Sequence, residues 1–444
     1  MTYKAPPQGR YDRRLNTTNY EHPQETNLLD IHRAMTYNSL GEPVIRTTSG
    51  AAPTANDAFG RLRVSNPFTL FESFRLYNDN QKFNNYTASG GAISVDTNAG
   101  LILHDVGTTS GAKAFRETTK VFAYQPGKSL LIMQTFCLNP AKTNLRQRAG
   151  YFDDNNGVFL ELDGNQLSFR IRTKTSGTIS YETATQADWN IDKLDGTGTS
   201  TRVLDITKAQ IMWIDMEWLG VGTVRCGFVI DGEFITVHHF HHANLTTGTY
   251  MSTACLPVRI ELENTGTTDS SSQLKSICST VVSEGGYALV GRPQSIGHPI
   301  STSYTLTTKD TLYPVVSIRL KSGRNNAIVL PNDFGIGVNA NANFRYQLIS
   351  RAITSGGSWV SAGANSSVEY NLTATSITNG TVLEQGYIMA TNQSSTGPSM
   401  SKFPFSYQLE RDTFTSTMFE FVIALEVSVN TTPCYASINW EEIT

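Results

Sequence analysis

Three clusters of side chains in this chain have the types and spacing to do chemistry. The sharpest is Trp213-Ile-Asp-Met-Glu-Trp-Leu-Gly220. On a β-strand successive side chains alternate between faces, so Trp213, Asp215 and Glu217 share one face and Met212, Ile214, Met216 and Trp218 the other. Two carboxylates beside an aromatic ring are the parts of glycoside chemistry, where one carboxyl protonates the leaving oxygen and the other attacks or activates water. The second cluster is His238-His-Phe-His-His242, which holds four of the eight histidines. Alternate imidazoles on a strand can ligate a metal, which makes His239 and His241 the candidates, or they can serve a pH-responsive contact. No cysteine or carboxylate with ligand spacing accompanies them, so packing between subunits or a plain surface is the preferred reading and no metal is expected.

The third cluster is two acidic loops. Tyr151-Phe-Asp-Asp-Asn-Asn-Gly157 carries calcium-type ligands but lacks the alternating spacing and the closing Glu of a calcium loop. A tight Asx turn is expected there. Asp188-Trp-Asn-Ile-Asp-Lys-Leu-Asp-Gly-Thr-Gly198 reads as a surface loop anchored by Trp189, with sugar stacking on that indole as the functional alternative. Walker, nucleophile-elbow, His-Glu-x-x-His and dinucleotide fingerprints are missing. No cofactor is expected.

The elements that must position these groups are strands. From about 68 to 295 short β-rich runs follow one another, among them Leu131–Phe136, Val158–Leu162 and Leu167–Arg172. Asp163-Gly164 and Asp231-Gly232 are hairpin signals between such runs. Close turns without a helical period predict a large jelly-roll β-sandwich of the concanavalin-like kind. A polar stretch, 296–308, reads as a linker. The runs Val315–Leu320, Phe344–Leu348, Phe405–Leu409 and Phe419–Val429 then predict a smaller antiparallel β-sandwich over 309–444. The class is therefore all-β. Residues 1–67 are polar and proline-punctuated and cannot bury a core of their own. With anchors such as Tyr3, Tyr11, Leu28 and Ile31, they read as an extended arm that orders against a neighbour.

Composition limits the function. Only 16% of the residues are charged and the net charge is −3, so a nucleic-acid partner is not expected. At 39% hydrophobic residues, the chain can form real cores. Five scattered cysteines argue against a disulfide framework or a zinc ribbon. The N-terminus has no apolar core of a secretion signal, and no run approaches the ~20 apolar residues of a membrane span.

Two resemblances sharpen the reading. Asp57-Ala-Phe-Gly-Arg-Leu-Arg-Val-Ser-Asn-Pro-Phe-Thr-Leu-Phe-Glu-Ser73 resembles a segment of structural proteins of tailed-bacteriophage particles, many from aquatic phages. Tyr124–Lys128, Gly150–Asp153, Trp189–Asp192, Trp218–Gly222, Leu256–Arg259 and Ser283–Gly286 match in the same order, so the likeness covers roughly 57–290. It implies a virion component assembled in the host cytoplasm, bound to other virion proteins. A tail fibre, baseplate or appendage protein comes first, and capsid decoration or a head fibre second. Low charge and abundant Thr, Ser and Asn suit a homotrimer. Phe59, Arg61, Arg63, Phe68 and Phe71 are then the docking candidates. The octapeptide 213–220 also looks like the active-site strand of laminarinase- and lichenase-type glycoside hydrolases, whose pattern is Glu-Ile-Asp-x-Glu. There Glu217 matches the acid/base and Asp215 the middle carboxylate, but the nucleophile position is Trp213. An indole cannot form a glycosyl ester, so the resemblance favours the fold and argues against the activity. A groove for a host-surface glycan, with Trp213, Asp215, Glu217 and Trp189 facing it, stays open as the alternative to a structural strand.

Overall fold

The computed structural model describes residues 67–74, 81–286, 291–338, 340–390 and 407–443, together with three short strands, Met35–Tyr37, Pro43–Ile45 and Ser399–Met400. The chain divides into two units, Met1–Ala55 and Asn56–Thr444. In the first, Met35–Tyr37 pairs antiparallel with Pro43–Ile45. The rest of the expected arm, with Phe59, Arg61 and Arg63, lies outside the described residues.

The second unit is all-β. Among the described residues the helical structure is limited to a single 3-10 turn, Gln186–Asp188. No helix there is long and apolar enough to cross a membrane. The first sandwich is the expected jelly roll. One sheet runs Ser180–Thr185, Gln166–Thr173, Gly157–Asp163, Leu145–Phe152, Val258–Asn264, Lys113–Thr118, Phe83–Ala88. The facing sheet runs Glu233–Phe240, Val224–Ile230, Gln210–Met216, Ser129–Cys137, Ser272–Glu284, Leu101–Val106, Ala92–Asp96. The long Ser272–Glu284 strand also pairs with Phe68–Ser73. We call these the ladder sheet and the motif sheet. Alternate residues of both sheets interdigitate in one core, with Phe136, Phe169, Ile214 and Leu262 among its members.

Turn chemistry explains the registers. Ile230 pairs with Glu233, leaving Asp231 and Gly232 as a two-residue turn with φ of 52° and 80°. Two positive φ values are what a type I′ hairpin needs. In the other hairpin Asp163 pairs with Gln166, so the turn is Gly164-Asn165, one residue later than the Asp-Gly signal suggests.

The second sandwich begins earlier than the sequence suggests. Arg292–Gly297 and Tyr304–Leu306 both pair with Thr432–Ile443, so both ends of the stretch expected as a linker, at 296–297 and 304–306, belong to a sheet. Its polarity reflects an outer strand beside a long partner, and composition alone cannot separate that from a tether. Ile328–Val338 flanks the same partner on its other side. The opposing sheet centres on Tyr313–Leu320, Glu420–Val427 and Ala342–Ser355, and the core between the two sheets contains Phe344, Phe421 and Trp440.

The two sandwiches are joined through residues 407–413. This segment was expected to end a strand at Leu409, yet its backbone bonds lead elsewhere. Leu409 N–H donates to Val329 O, and Arg411 N–H donates to Thr119 O of the first sandwich. Gln408 Nε2 reaches Val121 O at 3.3 Å, and Arg411 Nη1 donates to Thr118 O at 2.9 Å. Beside them Val121, Ala123 and Ile328 form a small apolar contact.

Candidate functional site

The carboxylate strand occupies a central position in the motif sheet. Gln210–Met216 lies between Ser129–Cys137 and Val224–Ile230. Met212, Ile214 and Met216 enter the core. Trp213 and Asp215 therefore project from the opposite face, as the alternation requires. Glu217 follows the strand's last residue, and its N–H still donates to Thr223 O at 3.2 Å, so the pairing runs on to it. The strand ends at Met216, and the chain turns through Leu219 and Gly220 at φ of 35° and 82°, with Gly222 N–H bonded to Trp218 O.

Asp215 is 2% exposed. One carboxylate oxygen accepts from Ser129 Oγ and the other is paired with the guanidinium of Arg225, its cross-strand neighbour. A carboxylate enclosed this way, between a hydroxyl and a buried cation, has both oxygens engaged and no open side from which to meet a substrate. Trp213 is equally closed off, at 1% exposure. Its ring packs on Phe234 at 5.9 Å and lies over Gly227, the residue opposite it in the ladder. A Cβ on Gly227 would meet the indole at 2.6 Å, so only glycine leaves room for it. Two of the four residues expected to face a glycan are thus covered, and Trp189 makes a third. It is 2% exposed, packs against Phe169 and Phe228, and donates its indole N–H to Ala184 O at 3.2 Å. Trp189 is a core residue that anchors its loop, not a sugar platform.

The histidines separate. His242 is buried, bonded through Nδ1 to Gly222 O at 2.8 Å and through Nε2 to Glu182 at 3.0 Å, and stacked on Tyr250 at 3.9 Å. His238 Nδ1 accepts from Asn190 N–H. His239 and His241 stand ring to ring at 5.5 Å. Burial first, then His241 and Arg225, hold His239 down to about 4. Arg225 also lies across the ladder from His239, and a fixed cation there opposes a second one. Among the described residues no three His, Cys, Asp or Glu side chains are placed to hold a metal. Asp153 caps its own loop, accepting from the amides of Asn155 and Asn156 at 2.7 Å each. That is the Asx turn expected at this site.

Of the docking candidates within the described residues, Phe68 is 49% exposed, while Phe71 lies in the core against Phe83 and Phe122.

A further polar feature lies outside the three sequence clusters. The outer face of the ladder sheet carries a row of buried ion pairs. Arg148 reaches Glu161 at 2.6 Å and Glu261 at 3.0 Å. Arg259 reaches Glu261 at 2.7 Å and Glu117 at 3.1 Å. Arg411, from the second sandwich, approaches Glu117 at 3.5 Å. Burial alone would raise the Glu261 carboxyl, but Arg259, Arg148 and Arg172 together hold it down to about 2. Glu117 goes the other way: burial dominates and raises it despite Arg411 and Arg259. Thr413 Oγ1 donates to Glu117 at 2.7 Å, and the Phe414 ring lies under Arg259. A signal for this row was present in the sequence. Arg146-Gln-Arg148, Arg170-Ile-Arg172 and Arg259-Ile-Glu261-Leu-Glu263 alternate charge with another residue, the mark of strands with one charged face.

No family model matches the chain, and no curated protein matches it. Solved structures do. A GH16 protein of the Bacteroides ovatus mixed linkage glucan PUL is 10% identical, with a TM-score of 0.33, covering 48% of this chain and 99% of its own. A Bacillus licheniformis β-glucanase is 9% identical, with a TM-score of 0.32, covering 47% and 97%. A Shewanella oneidensis protein of unknown function is 12% identical, with a TM-score of 0.33, covering 62% and 100%. The fold stated above rests on the strand order of this chain, not on these likenesses.

Proposed function

We propose that this chain is a non-enzymatic structural component of a tailed-bacteriophage virion, a tail-associated fibre, baseplate or appendage protein. The observation that carries the non-enzymatic part is the state of Asp215. It is buried, bonded by Ser129 and paired with Arg225, while the position where a retaining hydrolase needs its nucleophile holds the sealed Trp213. A retaining mechanism needs two carboxyl groups roughly 5 Å apart across a substrate. The described part of the strand offers one, already neutralised. The virion part rests on the ordered motifs of residues 57–290. In this reading the sandwiches are rigid bodies for contact with other virion proteins and with further copies of the chain as a homotrimer. The segment before Phe68 is the attachment.

The test is direct. Antibody labelling and mass spectrometry of purified particles should find the chain in the virion, and microscopy should place it on the tail. Capsid location would select the decoration alternative. Absence from particles sinks the proposal. So does glycan cleavage by the purified protein that is lost in Glu217→Gln.

A further inference from the structure

A cleft of about 600 Å³ lies between the two sandwiches, beside the Phe68–Ser73 strand. Its volume is within the roughly 300–1,000 Å³ of small-molecule sites. The first sandwich supplies Leu70, Lys82 and Lys120 to the wall, and the second supplies Arg351, Leu383, Tyr407 and Glu410. The charges do not balance: Lys82, Lys120 and Arg351 face Glu72 and Glu410, three cations against two carboxylates. Glu410 is already committed, accepting from Arg351 Nε at 2.6 Å and from Thr119 Oγ1 at 3.2 Å. Glu72 is exposed and makes no ion pair among the described residues.

Lys120 carries the excess. It is only partly exposed, and no ion pair or hydrogen bond engages its ammonium among the described residues. Its nitrogen lies 5.6 Å from the centre of the Tyr407 ring and keeps accessible surface. A cation drawn out of water without an acceptor is costly. Burial pushes the pKa of this ammonium down, Glu410 opposes the shift, and Lys82 and Arg351 add to it. The backbone supplies a separate observation. Arg351 is held at φ of 55°, a left-handed conformation that few residues other than glycine adopt. The ladder skips it, pairing Ser350 with Phe421 and Ala352 with Glu420. A bulge of this kind re-aims a side chain, and strained positions cluster where a side chain is used. Here Arg351 lines the cleft, where Nη2 donates to Gln81 O at 2.6 Å and Nη1 has no partner among the described residues.

We propose that this cleft binds a small organic carboxylate with an apolar body. The carboxylate pairs with the Lys120 ammonium and accepts from Arg351 Nη1, supplying the negative charge that the lining lacks. The body packs against Leu70, Leu383 and the Tyr407 ring, where apolar surface leaves water. The excess is one positive charge, which one carboxylate cancels and a doubly charged phosphate overshoots. A neutral ligand leaves Lys120 as it stands. The cleft shares no residue with the Asp215 face or with the ladder row. The proposal draws nothing from the virion reading, and either can fail alone.

Calorimetric titration of the full chain at pH 7 with benzoate, benzyl alcohol and inorganic phosphate tests it. Saturable benzoate binding is expected, with benzyl alcohol and phosphate each weaker by about tenfold. Lys120→Met keeps the apolar stem and removes the charge. It should weaken benzoate by about tenfold and leave benzyl alcohol where it was. Thr381→Asp, at an exposed position of the cleft wall, plants a competing carboxylate and should weaken benzoate to a similar degree. No saturable benzoate binding by about 50 mM overturns the proposal. So does benzyl alcohol or phosphate binding as tightly as benzoate, or a benzoate affinity that Lys120→Met leaves unchanged. Should that variant fail to fold, an unchanged affinity in Thr381→Asp overturns it instead.

Discussion

The two outer faces of the first sandwich use the same pairing in opposite ways. On the motif sheet, Asp215 and Arg225 neutralise each other within two adjacent strands, and the pair closes the surface. On the ladder sheet, carboxylates and guanidiniums run in series from Arg148 to Glu117, and the last cation, Arg411, belongs to the other sandwich. The first arrangement is local. The second joins two bodies, because Glu117 would be a buried carboxylate facing only one cation without the segment that brings Arg411. The motif face is therefore closed within its own sheet, and the ladder face reaches across to the second sandwich.

Breaking the long-range pairing should have the largest effect. Arg411→Ala removes the wholly buried cation beside Glu117 and should cost about 3–5 kcal/mol. Calorimetry should then show the sandwiches melting as two transitions. A single unshifted transition would mean that Arg411 does not couple them. Next comes the local pair. Asp215→Asn keeps the shape but leaves Arg225 without its counter-charge, so a loss of about 2–3 kcal/mol is expected in chemical denaturation. Its transition should stay single, since both partners lie in one sheet.

A pH titration separates the faces further. His239 is depressed from 6.5 to about 4 in the folded chain. The unfolded chain takes up the proton more readily, so the stability this ring contributes is complete above pH 6.5 and is lost as pH falls from 6.5 through 4. Glu261, depressed from 4.5 to about 2, loses its contribution only below 4.5. Equilibrium unfolding from pH 7 to 5 should thus weaken the motif face first, and His239→Gln should flatten that part of the curve. An unaltered slope in the variant would remove His239 as the cause. The smallest effect is expected from Phe68→Ala. Its ring is half exposed, and the change should stay within about 0.5 kcal/mol by denaturation. A drop like that of a core residue would show that the ring is packed.

Much of this was legible in the chain. Alternation placed Trp213 and Asp215 on one face and Met212, Ile214 and Met216 in the core, because a strand's geometry repeats every two residues whatever surrounds it. Asp231-Gly232 marked its hairpin for an equally local reason, the positive φ values that this pair tolerates. The charge alternation of Arg259-Ile-Glu261-Leu-Glu263 is as readable, since it too repeats every two residues.

What could not be read was which strands are neighbours and where they stop. The strand of Trp213 and Asp215 stops at Met216, just before Glu217, and Trp189 enters the core because its loop folds back on Phe169 and Phe228. Residues 296–297 and 304–306 are sheet because Thr432–Ile443, more than a hundred residues later, lies beside them. The sequence by itself determined the all-β class, the alternation and the place of Trp213 on its strand, all consequences of residue type and near spacing. The tertiary structure alone decided that Asp215 is neutralised, that Lys120 and Arg351 share a cleft, and that Arg411 closes the ladder. Each of these depends on long-range pairing, and charge, burial and access are properties of neighbours that the order of residues does not state.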